Sequence, residues 1–447
     1  MIRLLHAYFP RRTFLLGVSE ALLVTVAFVI AAIALLGANN ASLMLSHQRG
    51  FFKILLVSAA FITCVYYFDL YDTSILSNRR EVLGRMIRVL GTAYFLLAVL
   101  YHFYPPLHLG RGIFLLGFIL VAILLLLWRH LFMAVSTLPR FAKRALILGD
   151  GKLAESLRIE LGSRSELGIR VVGQLTGQTF LSRVASCQPD SVIIALGDWR
   201  GSLPVETLLR LKNRGVTIQD GAELYEAVTG KIPVHCLRLS CLLFSPGMRA
   251  SHPWLIYQCV APVVFSALAL LVTLPIMALI TLAIRLDSAG PIIFRQKRIG
   301  QDGKIFTLYK FRTMIDGPDS NENYQPAAIG DPRRTRVGRL LRRIRIDELP
   351  QLFNILRGEM CFVGPRPFVP KQEQEFAESI PHYQQRWAVK PGMTGWAQVN
   401  RGYCVTIEDN QEKLAYDLFY IKNASISLDL LILLKTIKVI LLRRGGR

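Results

Sequence analysis

Cysteine is scarce in this chain, and its seven residues lie far apart. They form no Cys-x-x-Cys pair and no cluster with histidine, which are the spacings typical of zinc sites and small disulfide frameworks. We therefore interpret them as reduced thiols with structural roles, and we expect neither kind of cross-link. The seven residues are Cys64, Cys187, Cys236, Cys241, Cys259, Cys361 and Cys404.

Acidic residues are also few. Aspartate and glutamate number 31 against 53 lysine and arginine residues, which gives a formal net charge of +22. An excess of this size implies an anionic partner, which is nucleic acid, anionic lipid or a phosphorylated substrate. The cations lie mainly beside apolar segments and no nucleic-acid-binding motif is recognisable, so the sequence favours lipid and phosphorylated substrates and argues against nucleic acid.

Long hydrophobic runs are abundant by contrast, and hydrophobic residues make up 52% of the chain. Four runs cover residues 13–37, 51–70, 86–104 and 113–135, and each is long enough to cross a hydrocarbon core about 30 Å thick. The first is too long for the apolar part of a signal peptide, so we expect it to remain as an anchor. Residues 1–139 are predicted to form a four-helix transmembrane region.

Lysine and arginine indicate how this region is oriented. Basic residues precede the first run, separate the second from the third, and follow the fourth, whereas the other two loops carry little charge. Because cationic loops remain in the cytoplasm, both ends of the region are predicted to be cytoplasmic. We expect a multi-pass membrane protein, with the domains that follow facing the cytoplasm.

A fifth apolar run covers residues 254–284, with Pro275 past its middle and basic residues on both sides. A spanning helix would place one basic flank outside, whereas a re-entrant helix kinked at Pro275 keeps both inside. An ordinary kinked span is the alternative. We predict a re-entrant membrane helix over residues 250–286.

Residues 140–246 alternate strand-like and helical patterns, beginning with "RALILGDG" and "KLAESLRIEL". Gly149, Gly151 and Ala154 approximate the Gly-x-Gly-x-x-Ala fingerprint of dinucleotide-binding folds. No acidic residue ends the second strand, where Gln174 stands, so the expected ribose-binding acid is missing. The prediction is a Rossmann-like domain, similar to CoA-binding domains, with a structural or regulatory role.

Asp347 and Glu348 are adjacent, directly after a run dense in arginine, and Pro350 follows them. The pattern fits a helix start with Asp347 as the N-cap. It also fits a catalytic pair, because one carboxylate can attack phosphorus to form an acyl phosphate while its neighbour holds Mg²⁺. Nearby cations are expected to keep the aspartate ionised by lowering its pKa.

Cations flank this pair in the sequence. Two strand-like runs on either side of the turn "GQDG" predict a β-hairpin that carries Lys297, Arg298, Lys310 and Arg312. Each alone is typical of a solvated surface, but together beside a membrane helix they favour a phosphate site. Further on, "VGPRP" is a rigid extended turn that would hold Arg366 in one place.

Residues 286–447 resemble the bacterial sugar transferases that act on polyprenyl phosphate, the monotopic phosphoglycosyl transferases. The matching stretches are "GPIIFRQKRIG", "KIFTLYKFRTM", "RIDELPQLFNILRGEMCFVGPRP", "KPGMTGWAQVN" and "YDLFYIKNASISLDLLILLKTI". The apolar runs and the Rossmann-like region are similar to the large, membrane-anchored branch of that family. This branch includes exopolysaccharide initiators found beside exosortase systems.

The resemblance implies a two-step reaction. Asp347 attacks the β-phosphate of a UDP-sugar, UMP leaves, and polyprenyl phosphate then takes the phosphosugar from the enzyme. Glu348 is implied to bind Mg²⁺, and Asp417 matches a further acid that either supports the metal site or lies on a helix surface. Lys310, Arg312 and Arg366 match positions associated with the phosphates and the nucleotide.

The resemblance extends to the architecture of residues 287–447, predicted to be a mainly helical catalytic domain with a short β-hairpin. Pro275 matches the proline that breaks the family's re-entrant helix, although Leu274 stands where small members often carry serine. The C-terminal apolar run, interrupted by Lys435 and Lys438, predicts an interfacial helix. Trp387 and Trp396 are expected either at the lipid headgroups or in the core.

The leading hypothesis is an enzyme that transfers a hexose-1-phosphate from a UDP-sugar to polyprenyl (undecaprenyl) phosphate and starts exopolysaccharide synthesis. The alternative is an inactive membrane scaffold or nucleotide sensor, against which the intact pair of Asp347 and Glu348 argues. UDP-sugar, polyprenyl phosphate and membrane lipid are the expected partners. Other polysaccharide-assembly proteins and further copies of the chain are left open.

Overall fold

The computed structural model is mainly helical, with several long apolar helices and a small parallel sheet. It describes residues 2–4, 7–9, 11–47, 49–71, 79–136, 142–164, 167–197, 203–236, 252–315, 331–401 and 406–441. The chain divides into two compact units, essentially Tyr8–Gly221 and Ala222–Arg447.

The four N-terminal apolar runs are helices, as predicted. They follow a short two-stranded ribbon that the sequence did not predict, β1 (Ile2–Leu4) and β2 (Ala7–Phe9). The helices are α1 (Arg11–His47), α2 (Gly50–Tyr67), α3 (Arg79–Phe103) and α4 (Arg111–Ser136). Within the described residues, these four and one later helix are long and apolar enough to cross a membrane.

Helix α1 is interrupted at Gly37, whose φ of 78° lies in the left-handed region that glycine adopts without steric cost. The bundle is packed by aromatic and aliphatic side chains. Phe28 of α1 and Phe118 of α4 meet edge to face with ring centroids 6.0 Å apart, and both are buried with Phe61 of α2. Many other apolar side chains of these helices point outward, as lipid-facing residues do.

A buried ion pair joins α1 to α4. Glu20 is 0% exposed and Arg129 is 2% exposed. Arg129 Nε donates to Glu20 Oε1 at 2.6 Å, and Nη2 donates to Oε2 at 3.1 Å. The hydroxyl of Tyr71 donates to the same carboxylate at 2.9 Å. Ionisable residues in membrane helices usually face a bundle interior and pair in this way.

The middle region forms a parallel sheet in the strand order β4–β3–β5–β6. Helices follow each strand along the chain, and the apolar core includes Leu146, Phe180, Val192 and Leu208. The elements are β3 (Lys143–Leu148), α5 (Lys152–Ser163), β4 (Ile169–Leu175), α6 (Gly177–Cys187), β5 (Ser191–Ile194), α7 (Val205–Asn213), β6 (Thr217–Asp220) and α8 (Gly221–Thr229).

Two residues of the predicted fingerprint region have structural contacts in this sheet. Gly149 has a φ of +141°, and a Cβ there would lie 2.4 Å from the carbonyl oxygen of Ala195. Gln174 donates its side-chain amide to the carbonyl of Gly149 at 3.0 Å. Gly149 is therefore needed for close approach of two chain segments, and Gln174 supports that turn.

The fifth apolar run is α9 (His252–Asp287), a 36-residue helix that contains both Pro262 and Pro275. At 1.5 Å per residue it is about 54 Å long, well beyond the roughly 30 Å of a hydrocarbon core. The sequence pointed to Pro275 alone; the structure also places Pro262 inside the helix.

The predicted β-hairpin is present and follows α9. Strands β7 (Ile293–Ile299) and β8 (Ile305–Phe311) pair antiparallel, with Phe294 opposite Lys310 and Arg298 opposite Phe306. The remaining elements are α10 (Arg336–Arg343), α11 (Gln351–Leu356), β9 (Cys361–Val363), α12 (Pro370–Ser379), β10 (Gly392–Thr394), α13 (Trp396–Asn400), α14 (Ile407–Lys422) and α15 (Ile426–Leu441).

Trp396 follows the core-packing alternative, whereas Trp387 is half-buried. Trp396 is 6% exposed and stacks on Phe419 with centroids 5.7 Å apart. Trp387 donates its indole N–H to Glu373 Oε2 at 2.9 Å. Their rings pack against the protein and take part in its hydrogen bonds.

Replacing Arg129 by methionine should destabilise the N-terminal bundle strongly, because Glu20 would stay buried without its cation. We expect a loss of about 3–5 kcal/mol in the free energy of unfolding, measured as a fall in Tm of the detergent-solubilised protein. The double variant Glu20→Leu, Arg129→Met removes both charges and should regain most of the loss. An unchanged Tm for Arg129→Met would show that the pair does not hold the bundle together.

Candidate active site

The two adjacent acids lie in a 3-10 turn, Ile346–Glu348, between α10 and α11. Arg345 enters the turn with a φ of 57°, a left-handed conformation that is costly for a residue with a Cβ. Pro350, not Asp347, occupies the N-cap of α11. The helix-cap interpretation of Asp347 is therefore wrong, since the turn buries the acids instead of placing the aspartate at a helix end.

Apolar packing fixes this turn beside the membrane-type helix. Leu349, the next residue, packs against a cluster that includes Ile280 and Ile284 of α9 and Phe311 of β8. Asp347 and Glu348 are each 8% exposed. The acid pair is consequently held next to the one long apolar helix that the structure describes in this unit.

Glu348 is the anchored member of the pair. Lys310 Nζ and Arg366 Nη2 each lie 3.2 Å from the same oxygen, Oε1. Burial opposes ionisation of Glu348, but the positive charges of Lys310, Arg366 and Arg345 outweigh burial and hold its pKa well below the usual range. Burial in turn lowers the pKa of Lys310 more than the carboxylate raises it.

Asp347 is held differently. Among the described residues its carboxylate receives no hydrogen bond. Burial raises its pKa above the ordinary value, Lys310 acts in the opposite direction, and the neighbouring Glu348 adds to the rise. The expectation of a lowered pKa was wrong because the direct contacts of the cations go to Glu348. The Asp347 oxygens keep their acceptor capacity for a bound group.

Strand alternation separates the predicted cations of the hairpin. Side chains two residues apart share a face, and the pairing register puts Arg298 on the same face as Lys310 and puts Lys297 on the opposite one. Arg298 donates to the carbonyl of Pro367 at 3.1 Å. Lys297 is exposed. The structure thus brings Arg298 and Lys310 to the acid pair's side of the hairpin.

Arg312 is 4% exposed and donates to Ser288 at the end of α9, at 2.7 Å to the carbonyl and 2.9 Å to the hydroxyl. These contacts tie β8 to the membrane-type helix. Its predicted role in phosphate binding stays a prediction.

Asp417 lies on α14 and is 3% exposed, so the helix-surface alternative is wrong. Arg386 Nη2 donates to its Oδ2 at 2.9 Å. Burial raises the pKa of Asp417, and Arg386 opposes that rise. The sequence did not identify Arg386, because in "HYQQRWAVK" it resembles any exposed arginine; its partners are distant in the chain.

The residues present fit a Mg²⁺ ion only in part. Among the described residues no group of three histidine, cysteine or acidic side chains could hold a metal by itself. A Mg²⁺ ion needs only one or two carboxylates when substrate phosphates complete its shell. Asp347 and the second oxygen of Glu348 meet that requirement, whereas Asp417 already pairs with Arg386.

Comparison with known proteins identifies the family of the chain. The chain matches the family described as "Bacterial sugar transferase" over residues 255–443. It is 38% identical over 231 residues to the UDP-N-acetylgalactosamine-undecaprenyl-phosphate N-acetylgalactosaminephosphotransferase of Aeromonas hydrophila, covering 50% of this chain and 52% of that protein. It is 36% identical over 321 residues to the undecaprenyl-phosphate glucose phosphotransferase of Komagataeibacter xylinus, covering 67% and 59%.

A third relative is the UDP-glucose:undecaprenyl-phosphate glucose-1-phosphate transferase of Caulobacter vibrioides, 44% identical over 187 residues, which are 41% of this chain and 68% of that protein. The chain belongs to the bacterial sugar transferase family. It spans somewhat more than half the length of the first two relatives. The acid pair, its cations and Asp417 all lie inside the matched residues 255–443.

Conservative amide substitutions of the two acids should change stability in opposite directions. The lowered pKa of Glu348 means that its ionised form stabilises the folded chain at neutral pH, a contribution lost as the pH falls through that pKa. The raised pKa of Asp347 means that its ionised form costs stability at neutral pH, and the cost disappears as the pH falls through the raised pKa.

We therefore expect Glu348→Gln to lower the free energy of unfolding by about 1–3 kcal/mol, because Lys310 and Arg366 lose the negative charge that they share. Asp347→Asn should leave Tm unchanged or raise it. The measurement is Tm of both variants and wild type in one detergent near neutral pH. A larger loss for Asp347→Asn than for Glu348→Gln would contradict the assignment of the two roles.

Proposed function

We propose that this protein transfers a sugar-1-phosphate from a UDP-sugar to polyprenyl phosphate and thereby starts exopolysaccharide synthesis. The names of its relatives describe transfer to undecaprenyl phosphate. The observation that carries the proposal is Asp347, a mostly buried carboxylate without a hydrogen bond among the described residues, beside a second carboxylate that binds the cations.

In the first step, an oxygen of Asp347 attacks the β-phosphorus of the UDP-sugar. A new oxygen–phosphorus bond forms, and the bond from that phosphorus to the bridging oxygen breaks. UMP leaves with the electron pair, and the sugar phosphate stays on Asp347 as an acyl phosphate. Burial of Asp347 favours attack, because a poorly solvated carboxylate has less hydration to lose.

In the second step, a phosphate oxygen of polyprenyl phosphate attacks the same phosphorus. The bond to Asp347 breaks, the carboxylate is regenerated, and polyprenyl-diphospho-sugar is released. The packing of Leu349 on α9 supports this step, because it keeps the acid pair beside an apolar helix where a lipid phosphate is available.

Lys310, Arg366 and Arg298 supply the positive charge for this chemistry. Phosphoryl transfer depends mainly on positioning and on stabilising charge around phosphorus. Lys310 and Arg366 are held by Glu348 and so need little rearrangement when a diphosphate binds. A Mg²⁺ ion held by Glu348 and Asp347, when bound, would neutralise the diphosphate and support departure of UMP.

The membrane arrangement is part of the proposal. The five apolar helices and the charge of their flanks support a protein of the bacterial inner membrane with its site on the cytoplasmic face. Because α9 is longer than one crossing requires and contains Pro262 and Pro275, we propose that it enters and leaves the membrane on the cytoplasmic side.

The middle sheet is proposed to be Rossmann-like. All its strands are parallel, in the order β4–β3–β5–β6. The chain adds β4 on one side of β3 and then β5 and β6 on the other side, which is the doubly wound arrangement. The contacts of Gly149 and Gln174 favour a structural role for the fingerprint region. A regulatory ligand, of CoA or nucleotide type, is the sensor alternative.

Asp347→Asn should abolish release of UMP from UDP-sugar in the presence of Mg²⁺ and polyprenyl phosphate, because an amide is a poor nucleophile toward phosphorus. Intact-mass analysis of wild type without the lipid acceptor should show a sugar phosphate adduct that Asp347→Asn lacks. Asp190→Asn, in the middle sheet, is the matched control and should behave as wild type; Asp190 accepts from the Arg144 amide at 2.7 Å. Wild-type turnover in Asp347→Asn would remove the nucleophile assignment.

A reporter fused after residue 290 should indicate the cytoplasm, because both flanks of α9 are proposed to lie on that side. A fusion after His47, the last residue of α1, is the control and should indicate the periplasm. A periplasmic signal at residue 290 would replace the re-entrant helix by an ordinary span.

A further inference from the structure

We propose that Arg386 is a positioning residue for Arg366, and that Asp417 acts through Arg386 and not as a metal ligand. This inference rests on the proposed function, since it concerns how one cation of that site is held. It assigns a task to three buried charged residues that the two-step reaction does not itself use: Arg386, Asp417 and Glu373.

Arg386 lies at the centre of this group, 4% exposed, with both ends of its guanidinium engaged. Nη1 donates to Glu373 Oε1 at 2.9 Å. Nη2 donates to Asp417 Oδ2 at 2.9 Å and to the backbone carbonyl of Arg366, also at 2.9 Å. The planar fork of arginine makes this possible, since its five N–H donors are spread over three nitrogens, whereas the three donors of a lysine ammonium all leave one nitrogen.

The segment that Arg386 contacts has few backbone N–H groups of its own. Arg366 stands between Pro365 and Pro367, which have no backbone N–H, so this turn is held mainly through its carbonyl oxygens. Each of the three successive carbonyls accepts from a different element. Pro365 accepts from the Gly392 amide at 3.0 Å, Arg366 from Arg386, and Pro367 from Arg298 at 3.1 Å.

The side chain of Arg366 leaves the turn in the direction of the acid pair, where Nη2 lies 3.2 Å from Glu348 Oε1. The Arg366 backbone is therefore fixed at the carbonyl by one buried guanidinium, while its own guanidinium serves the site. If the hydrogen bond from Arg386 to this carbonyl changed, the Arg366 backbone would move, and its guanidinium would move away from Glu348.

The two carboxylates hold Arg386 and are themselves satisfied. Glu373 is 1% exposed and also accepts from the Trp387 indole at 2.9 Å and the Phe368 amide at 3.2 Å. Asp417 has Arg386 as its close partner and is 3% exposed. A Mg²⁺ ion keeps several waters and demands open coordination positions, which an acid buried against a guanidinium does not offer.

The test is a double-mutant cycle between Asp417→Asn and Arg366→Ala, with kcat of UMP release measured at saturating UDP-sugar. Asp417→Asn should reduce kcat roughly 10- to 100-fold, the scale expected for a misplaced catalytic group. If Asp417 acts through Arg366, the double variant should be no slower than Arg366→Ala alone, since a missing side chain cannot be mispositioned. The Mg²⁺ concentration for half-maximal rate should be the same in Asp417→Asn and wild type.

Glu226→Gln is the matched control. Glu226 of α8 pairs at 2.9 Å with Lys422, the last residue of α14, and so tests loss of an ion pair to the helix of Asp417 without contact to Arg386. It should leave kcat within about twofold of wild type, and its effect should multiply with that of Arg366→Ala. Tm of every variant is measured alongside.

Arg386→Lys provides a second route if Asp417→Asn does not fold, because it keeps the buried positive charge. A similar loss of kcat that disappears in the Arg366→Ala background would support the inference. Multiplying effects in either cycle, or a shifted Mg²⁺ dependence in Asp417→Asn, would overturn it. Absence of UMP release by wild type with every UDP-sugar would instead remove the proposed function itself.

Discussion

One oxygen of Glu348 shared by Lys310 and Arg366 is the contact around which this unit is organised. In a buried setting such charge-assisted contacts are strong, but a missing partner is equally costly. The hairpin must therefore present Lys310, the 3-10 turn must present Glu348, and the proline turn must present Arg366, all at one point. The packing of Leu349 and the hold of Arg386 on the Arg366 carbonyl serve that convergence.

Neighbouring carboxylates acquire different properties at this point. Burial raises the pKa of both acids, but Lys310 and Arg366 contact Glu348 and lower its pKa, whereas the pKa of Asp347 stays raised. Environments that shift the pKa values of two acids in opposite directions are typical of sites in which the acids have separate tasks. The pair thereby combines a carboxylate that holds two cations with one that receives no hydrogen bond among the described residues.

The surrounding fold shows why such a site belongs beside a membrane. Two contacts hold α9 next to the acid pair. Arg312 donates to the carbonyl of Ser288, which follows the last residue of α9, and Leu349 packs on the apolar cluster of Ile280, Ile284 and Phe311. A phosphate on a lipid is confined to the headgroup layer, so under the proposed function a site fixed against an apolar helix would meet it directly. The relatives named for undecaprenyl phosphate are consistent with that arrangement.

The long apolar runs, the hairpin and the acid pair were predictable because each depends on local pattern: length, alternation and adjacency. The pairing of cations with carboxylates was not predictable from the sequence. Lys297 and Lys310 each lie in a strand-like run, and only the strand register places them on opposite faces of the hairpin. The role of Arg386 could not be read from the sequence, because its charged partners Glu373 and Asp417 and the Arg366 carbonyl lie 13 to 31 residues away, and only Tyr383 is close in the chain. The sequence by itself determined the elements and the chemistry available. Tertiary packing decided that both acids are buried and that Lys310 and Arg366 contact Glu348 and not Asp347, because only the folded chain brings the hairpin and the proline turn to the same carboxylate.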